Sequence, residues 1–170
     1  MSAIRDDRAP AMSGAAERSR LASMIVAWGP VAVWMAVIFS LSSDQFSDVN
    51  TAAWLSGMPI VRVFGLPPAV IEAGNFIVRK CMHFVEYAVL SVLTFRALRA
   101  TRPWDSDRRL LAVAVIVAAL CASVDEAHQH FGTLTRSGTP KDAVLDSFGA
   151  LTGAVVGAMY FYRRTPRRHT

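Results

Sequence analysis

From Leu21 to Leu41 the chain runs twenty-one residues without a charge. A helix of about 20 apolar residues crosses the hydrocarbon core of a bilayer. The run is longer than the roughly 7–15-residue apolar core of a secretory signal, and no convincing small-x-small cleavage site follows it. Gly29-Pro30 predicts a kink inside this helix, which membrane helices tolerate.

Three further stretches repeat the pattern. Phe76–Leu98 is apolar apart from a few ionisable residues, most of them near its start. Leu110–Val124 is uncharged for fifteen residues, slightly short alone, so its helix is expected to continue to His128. Ala143–Tyr162 carries Asp146 near its start. The predicted spans are therefore about 21–41, 76–98, 110–128 and 143–162. They make one domain over 21–162, between a polar tail at 1–20 and a basic tail at 163–170. The fold class expected is an all-α membrane protein, a bundle of four transmembrane helices. Between the first two spans, Met58-Pro59 and Leu66-Pro67-Pro68 break any long helix, yet Trp54, Leu55, Ile60, Val61, Val63 and Phe64 are too apolar for a solvated loop. An interfacial or re-entrant segment is expected there.

Composition agrees. Hydrophobic residues are 53% and charged residues 18%, with mean hydropathy +0.34. That argues against a disordered chain, a charged coiled coil and a soluble enzyme. Two cysteines, Cys81 and Cys121, exclude a disulfide scaffold and read as buried free thiols.

The net charge of +5 invites a nucleic-acid reading, but the placement of the charge favours topology. Of 18 Lys and Arg residues, 13 fall in the N-terminal tail, at or after the end of span two, or in the C-terminal tail. Five, namely Arg62, Arg79, Lys80, Arg136 and Lys141, fall on the other side. The positive-inside rule then puts both termini in the cytoplasm of a multi-pass plasma (inner) membrane protein. No nucleic-acid partner is expected; the bilayer is the expected partner.

The other ionisable residues gather at the opposite, extracytoplasmic ends: Arg79, Lys80, His83 and Glu86 in span two, Asp125, Glu126 and His128 in span three, and Arg136, Lys141, Asp142 and Asp146 leading into span four. Arg79 reads most simply as snorkelling to headgroups. Charged groups in lipid are costly and turn inward. Spacings of three and four put Lys80, His83 and Tyr87 on one face, likewise His83 with Glu86, Asp125 with His128, and Asp142 with Asp146. A polar, acidic pocket at the outer face follows. Gly149, Gly153 and Gly157 recur every four residues, a flat face for close packing against another helix. Trp28, Trp34 and Trp54 read as lipid-facing or interfacial anchors.

The stretches IFSLSS (38–43), KCMHFVEYAVL (80–90), DEAHQHF (125–131), RSG (136–138) and KDAVLDSFGALTG (141–153), in this order, resemble the VanZ-like family of membrane proteins. The resemblance covers about Trp34 to Gly157. One departure is Gly132–Thr135, which stands before Arg136 where the family has a Pro-Gly turn. The resemblance implies a small integral membrane protein of the cell envelope, in a family whose namesake is associated with low-level resistance to the lipid-bearing glycopeptide teicoplanin. The matching positions are Lys80, His83, Glu86, Tyr87, Asp125, Glu126, His128, Gln129, Arg136, Asp142 and Asp146.

Three function classes stay open. In the first, an enzyme acts on an amphiphilic or lipid-linked substrate. Lys80, His83, Glu86, Asp125, Glu126 and His128 supply acid–base chemistry, while Tyr87, Gln129, Arg136, Asp142 and Asp146 bind the substrate. In the second, the same cluster binds or transports a lipid or glycopeptide headgroup, and so few spans then call for a homodimer. In the third, His83, Glu86, Glu126 and His128 hold a metal, as facing helices of a bundle can. The sequence names no cofactor. It contains no Gly-x-Ser-x-Gly motif and no phosphate loop.

Overall fold

A computed structural model describes residues 11–43, 48–132 and 140–164. Six helices follow one another: α1 (Ala11–Leu41), α2 (Asp48–Ser56), α3 (Pro59–Phe64), α4 (Pro68–Thr101), α5 (Asp107–Gly132) and α6 (Pro140–Arg164). No strand occurs among the described residues. Four stretches are long and apolar enough to cross a membrane: Ala16–Leu41, Pro68–Thr101, Asp107–Phe131 and Lys141–Arg163. The all-helical architecture with four membrane-capable helices is as expected.

The helices outrun their apolar cores. α1 continues through Pro30. α4 starts at Pro68, well before Phe76, because proline suits the first turn, where its missing N–H costs no hydrogen bond. α5 carries on through Asp125–Gln129. The segment between α1 and α4 contains two short helices. α3 ends at Gly65, whose φ of 56° is left-handed. The Leu66 N–H then returns to the Val61 carbonyl, the hydrogen bond of a Schellman cap. α2 packs on α4, while Ile60, Val63 and Phe64 of α3 stay exposed.

α4 is the hub of the bundle and packs against α1, α5 and α6 as well as α2. Its seam with α6 is set by small residues. A Cβ on Gly149 would lie 2.3 Å from the Phe84 carbonyl oxygen, and one on Gly153 would lie 2.1 Å from that of Ala88. Gly157 stands opposite Val92 with more room, 3.3 Å to Cγ2. The two backbones touch there, as the glycine spacing predicts. Rising numbers on α6 meet rising numbers on α4, so these helices run parallel. α5 joins them with Ala114, Ala118 and Ala122, one per turn and all fully buried. Without a hydrophobic gain between helices in lipid, such close van der Waals contact holds a bundle together. Tyr87, Leu90 and Phe95 of α4 fill the remaining core.

α1 runs antiparallel to α4. The Trp34 indole Nε1–H donates to the Glu86 carbonyl at 2.9 Å, and Arg96 donates to the Val26 carbonyl at 3.1 Å. Trp34 is therefore not a lipid-facing anchor, because its one donor is used between helices. Trp28 is likewise half-buried, packed on the core. Trp54 is exposed. Cys81 is exposed and Cys121 half-buried, so neither is the buried thiol expected.

At the far end of the bundle Arg99 of α4 pairs with Asp107 of α5 at 3.3 Å and donates to the Phe161 carbonyl of α6. The arginines counted above as a topology signal thus include one that ties three helices together.

Candidate functional site

The parallel seam decides what meets at the polar end. Asp146 precedes Gly149 by three residues and shares its face, so it is carried against α4 one turn above Phe84. There it meets His83: Nδ1 lies 3.4 Å from Asp146 Oδ2. A turn earlier on both helices, Lys80 pairs with Asp142. From α5, Glu126 brings Oε1 to 3.9 Å from the same His83 nitrogen. Three consecutive long helices thus place one nitrogen and two carboxylates together. Donor atoms of His83, Glu126 and Asp146 all lie within 4.8 Å of one another, and all three residues are buried. Asp146 is wholly buried. Neither of its oxygens receives a hydrogen bond among the described residues, so the contact with His83 is an ion pair.

Two cavities open from this centre. A polar one of about 400 Å³ is lined by Glu72, Asn75, Arg79, Lys80, His83, Glu126, Gln129 and Asp142, with Ala52 and Phe76. A mostly apolar one of about 320 Å³ lies between α1, α2 and α4. Leu41, Trp54, Leu55, Val78 and Met82 supply its greasy wall, and Glu86 lies at its polar edge. Asn75, Arg79 and His83 border both. Arg79, expected to snorkel, is half-buried at this junction.

Asp125 is engaged separately. Its Oδ2 accepts from Ser42 Oγ at 2.7 Å, from Gln129 Nε2 at 2.8 Å and from Tyr87 Oη at 3.1 Å. One carboxylate oxygen therefore ties α1, α4 and α5. Charge-assisted bonds of this kind are among the stronger ones. Gln129 also lines the polar cavity, so it connects the clamp with the His83 centre. His128 faces elsewhere. Its ring lies 4.9 Å from that of Phe39, in an apolar cleft of about 580 Å³ between α1, α4 and α5.

Of the residues singled out in the sequence, Lys80, His83, Glu126, Gln129 and Asp142 share the polar cavity. Asp146 stands behind His83, and Glu86 borders the apolar cavity. Tyr87 and Asp125 form the clamp, and His128 is across α5 from the centre. Arg136 lies outside the described residues. The donor trio differs from the four metal candidates read from spacing: Asp146 is in it, and Glu86 and His128 are not. Ser42, Asn75 and Glu72 were missed as site residues. Ser42 follows the first apolar run directly and could have been found by asking which hydroxyl sits level with Asp125.

No curated protein and no solved structure matches the chain. Residues 27–161 match the sequence model described as VanZ/LLP1. That stretch takes in α4, α5, α6 as far as Phe161 and the second half of α1, so the chain belongs to the VanZ/LLP1 family.

Proposed function

We propose that the protein binds an amphiphilic, lipid-linked cell-envelope molecule at the extracytoplasmic face of the plasma membrane and acts on its headgroup. The observation that carries this reading is the pair of cavities sharing His83, Asn75 and Arg79. An amphiphile needs a polar chamber beside an apolar slot, with donors at the junction. A sugar or anionic headgroup fits the polar chamber, facing Arg79 and Lys80, while the chain lies against Leu55, Val78 and Met82. His83, held between Glu126 and Asp146, is the group placed to accept a proton there. The lysine and arginine bias supports the extracytoplasmic side. A family whose namesake is associated with teicoplanin resistance fits this reading, since teicoplanin itself carries a lipid chain.

The test is unbiased mass spectrometry of lipids that co-purify with the full chain in mild detergent. A lipid with a sugar or anionic headgroup should be enriched over its share of the membrane. Met82→Trp, which fills the apolar slot, should abolish that enrichment. Bulk phospholipid in membrane proportions from both proteins would overturn the proposal. Expression in a teicoplanin-sensitive host then asks whether resistance follows the same residues.

A further inference from the structure

We propose that His83, Glu126 and Asp146 bind one divalent transition-metal ion, with zinc as the best match. The inference rests on reading these three residues as the centre of the site proposed above, and it gives the His83 Nδ1 lone pair to the ion in place of a proton.

Geometry comes first. Zinc binds imidazole nitrogen and carboxylate oxygen at about 2.0–2.2 Å, which sets neighbouring ligands in a tetrahedral shell roughly 3.3–3.6 Å apart. His83 Nδ1 lies 3.4 Å from Asp146 Oδ2 and 3.9 Å from Glu126 Oε1. The third edge is within 4.8 Å. Small side-chain movements would close this triangle around an ion.

The second observation is Asp146 itself. It is wholly buried, it is aimed at His83, and both its oxygens lack a hydrogen bond. A buried carboxylate in that position is costly unless something compensates it. Lys80 is already paired with Asp142. Two carboxylates, from α5 and α6, face a single imidazole. A divalent cation between them would bind the Asp146 oxygens, which receive no hydrogen bond among the described residues.

The donor set points to the ion. One imidazole and two carboxylates, with no thiolate among them, suit zinc or manganese better than copper(I) or an iron–sulfur cluster. Three protein ligands leave a coordination position, the pattern of an open rather than a structural zinc site. His83 and Glu126 line the polar cavity, so a water or a headgroup oxygen could reach that position.

The experiment uses the full chain in detergent, stripped with chelator and then dialysed against trace Zn²⁺ or Mn²⁺. Elemental mass spectrometry should find about one ion per chain, with zinc retained over manganese. Asp146→Asn and Glu126→Gln keep the side-chain shape and, as direct ligands, should each weaken binding by at least the roughly 10–100-fold that losing an outer-shell partner costs. Glu72→Gln removes a carboxylate from the same cavity but not from the trio, and should leave stoichiometry unchanged. Co²⁺ loading adds a spectroscopic readout: visible d–d bands present in the wild type and absent in Asp146→Asn. Circular dichroism and gel filtration check that each variant is folded. Equal binding by wild type and Asp146→Asn, or no retention of either ion by the wild type, would overturn the site. Lipid measured on the same samples separates the two proposals. Lipid without metal sinks the ion alone, and metal without lipid sinks the substrate reading alone.

Discussion

His83 faces Asp146 across the α4–α6 seam at 3.4 Å, one turn from the point where Gly149 leaves no space for a Cβ against the Phe84 carbonyl. A backbone-to-backbone approach of this seam and the most deeply buried carboxylate among the described residues are thus neighbours on one helix face. Packing fixes the register, and the register delivers Asp146 to His83 and Asp142 to Lys80.

The seam gives the first prediction. Gly153→Ala puts a methyl where the Ala88 carbonyl oxygen already stands, 2.1 Å away, with backbone on both sides and nothing flexible to yield. Overpacking of this kind costs about 1–3 kcal/mol. Gly157→Ala meets only the Val92 side chain at 3.3 Å and should cost much less. Thermal unfolding in detergent should rank wild type and Gly157→Ala together and Gly153→Ala clearly below. Equal stability of the two variants would show that the seam can slide.

These contacts mark where reading the sequence succeeds and where it stops. Apolar runs reveal spans because lipid demands them, and glycines four apart reveal a contact face because only backbone fits there. Spacing within a helix groups Lys80 with His83, and Asp142 with Asp146. It is silent on distances between helices. Asp125 and Glu126 are adjacent in sequence, yet about 100° of helix rotation sends one to Ser42 and the other to His83. His128 follows Asp125 around that turn and ends against Phe39, although its residue type suggested a place beside His83. Four alternating spans already make α6 parallel to α4, but nothing local shows that the face of α6 carrying Asp146 meets His83.

The Asp125 clamp predicts a loss of stability rather than of chemistry. Ser42→Ala and Tyr87→Phe each delete one hydrogen bond to a buried carboxylate oxygen, worth about 1–3 kcal/mol when the acceptor is charged. Both should lower the unfolding temperature in detergent, and Tyr87→Phe, which borders neither of the two cavities at His83, should leave lipid co-purification intact. Their combination should cost less than the sum of the two, since they share one acceptor. A variant that stayed fully stable yet lost bound lipid would move Asp125 from the scaffold into the site.

Topology is tested by accessibility. In a background with Cys81→Ser and Cys121→Ser, a cysteine at Ser56 should react with an impermeant reagent in intact cells. One at Ser106, on the arginine-rich side, should react only after lysis. Labelling of Ser106 in sealed cells would invert the protein and place the polar cavity in the cytoplasm.

The last prediction concerns whether α4 and α5 act as one site. His83 Nδ1 and Glu126 Oε1 are 3.9 Å apart, both side chains are buried, and both line the same cavity. If they serve a single ligand or a single proton transfer, removing either leaves the other without purpose. His83→Ala and Glu126→Ala should then each lose nearly all function, and the double variant should be little worse. Residues that act as a unit are grossly non-additive in this way, and coupling between contacting groups runs to about 0.5–3 kcal/mol. The measurement is teicoplanin susceptibility, or retention of the co-purifying lipid, across wild type, both single variants and the double at matched membrane abundance. Glu72→Gln supplies the comparison, because it alters the charge of the same cavity from the rim. If that rim change matched the loss in Glu126→Ala, cavity charge alone would explain the effect. Two modest losses that add would mean that α4 and α5 contribute independently, and that His83 does not depend on Glu126.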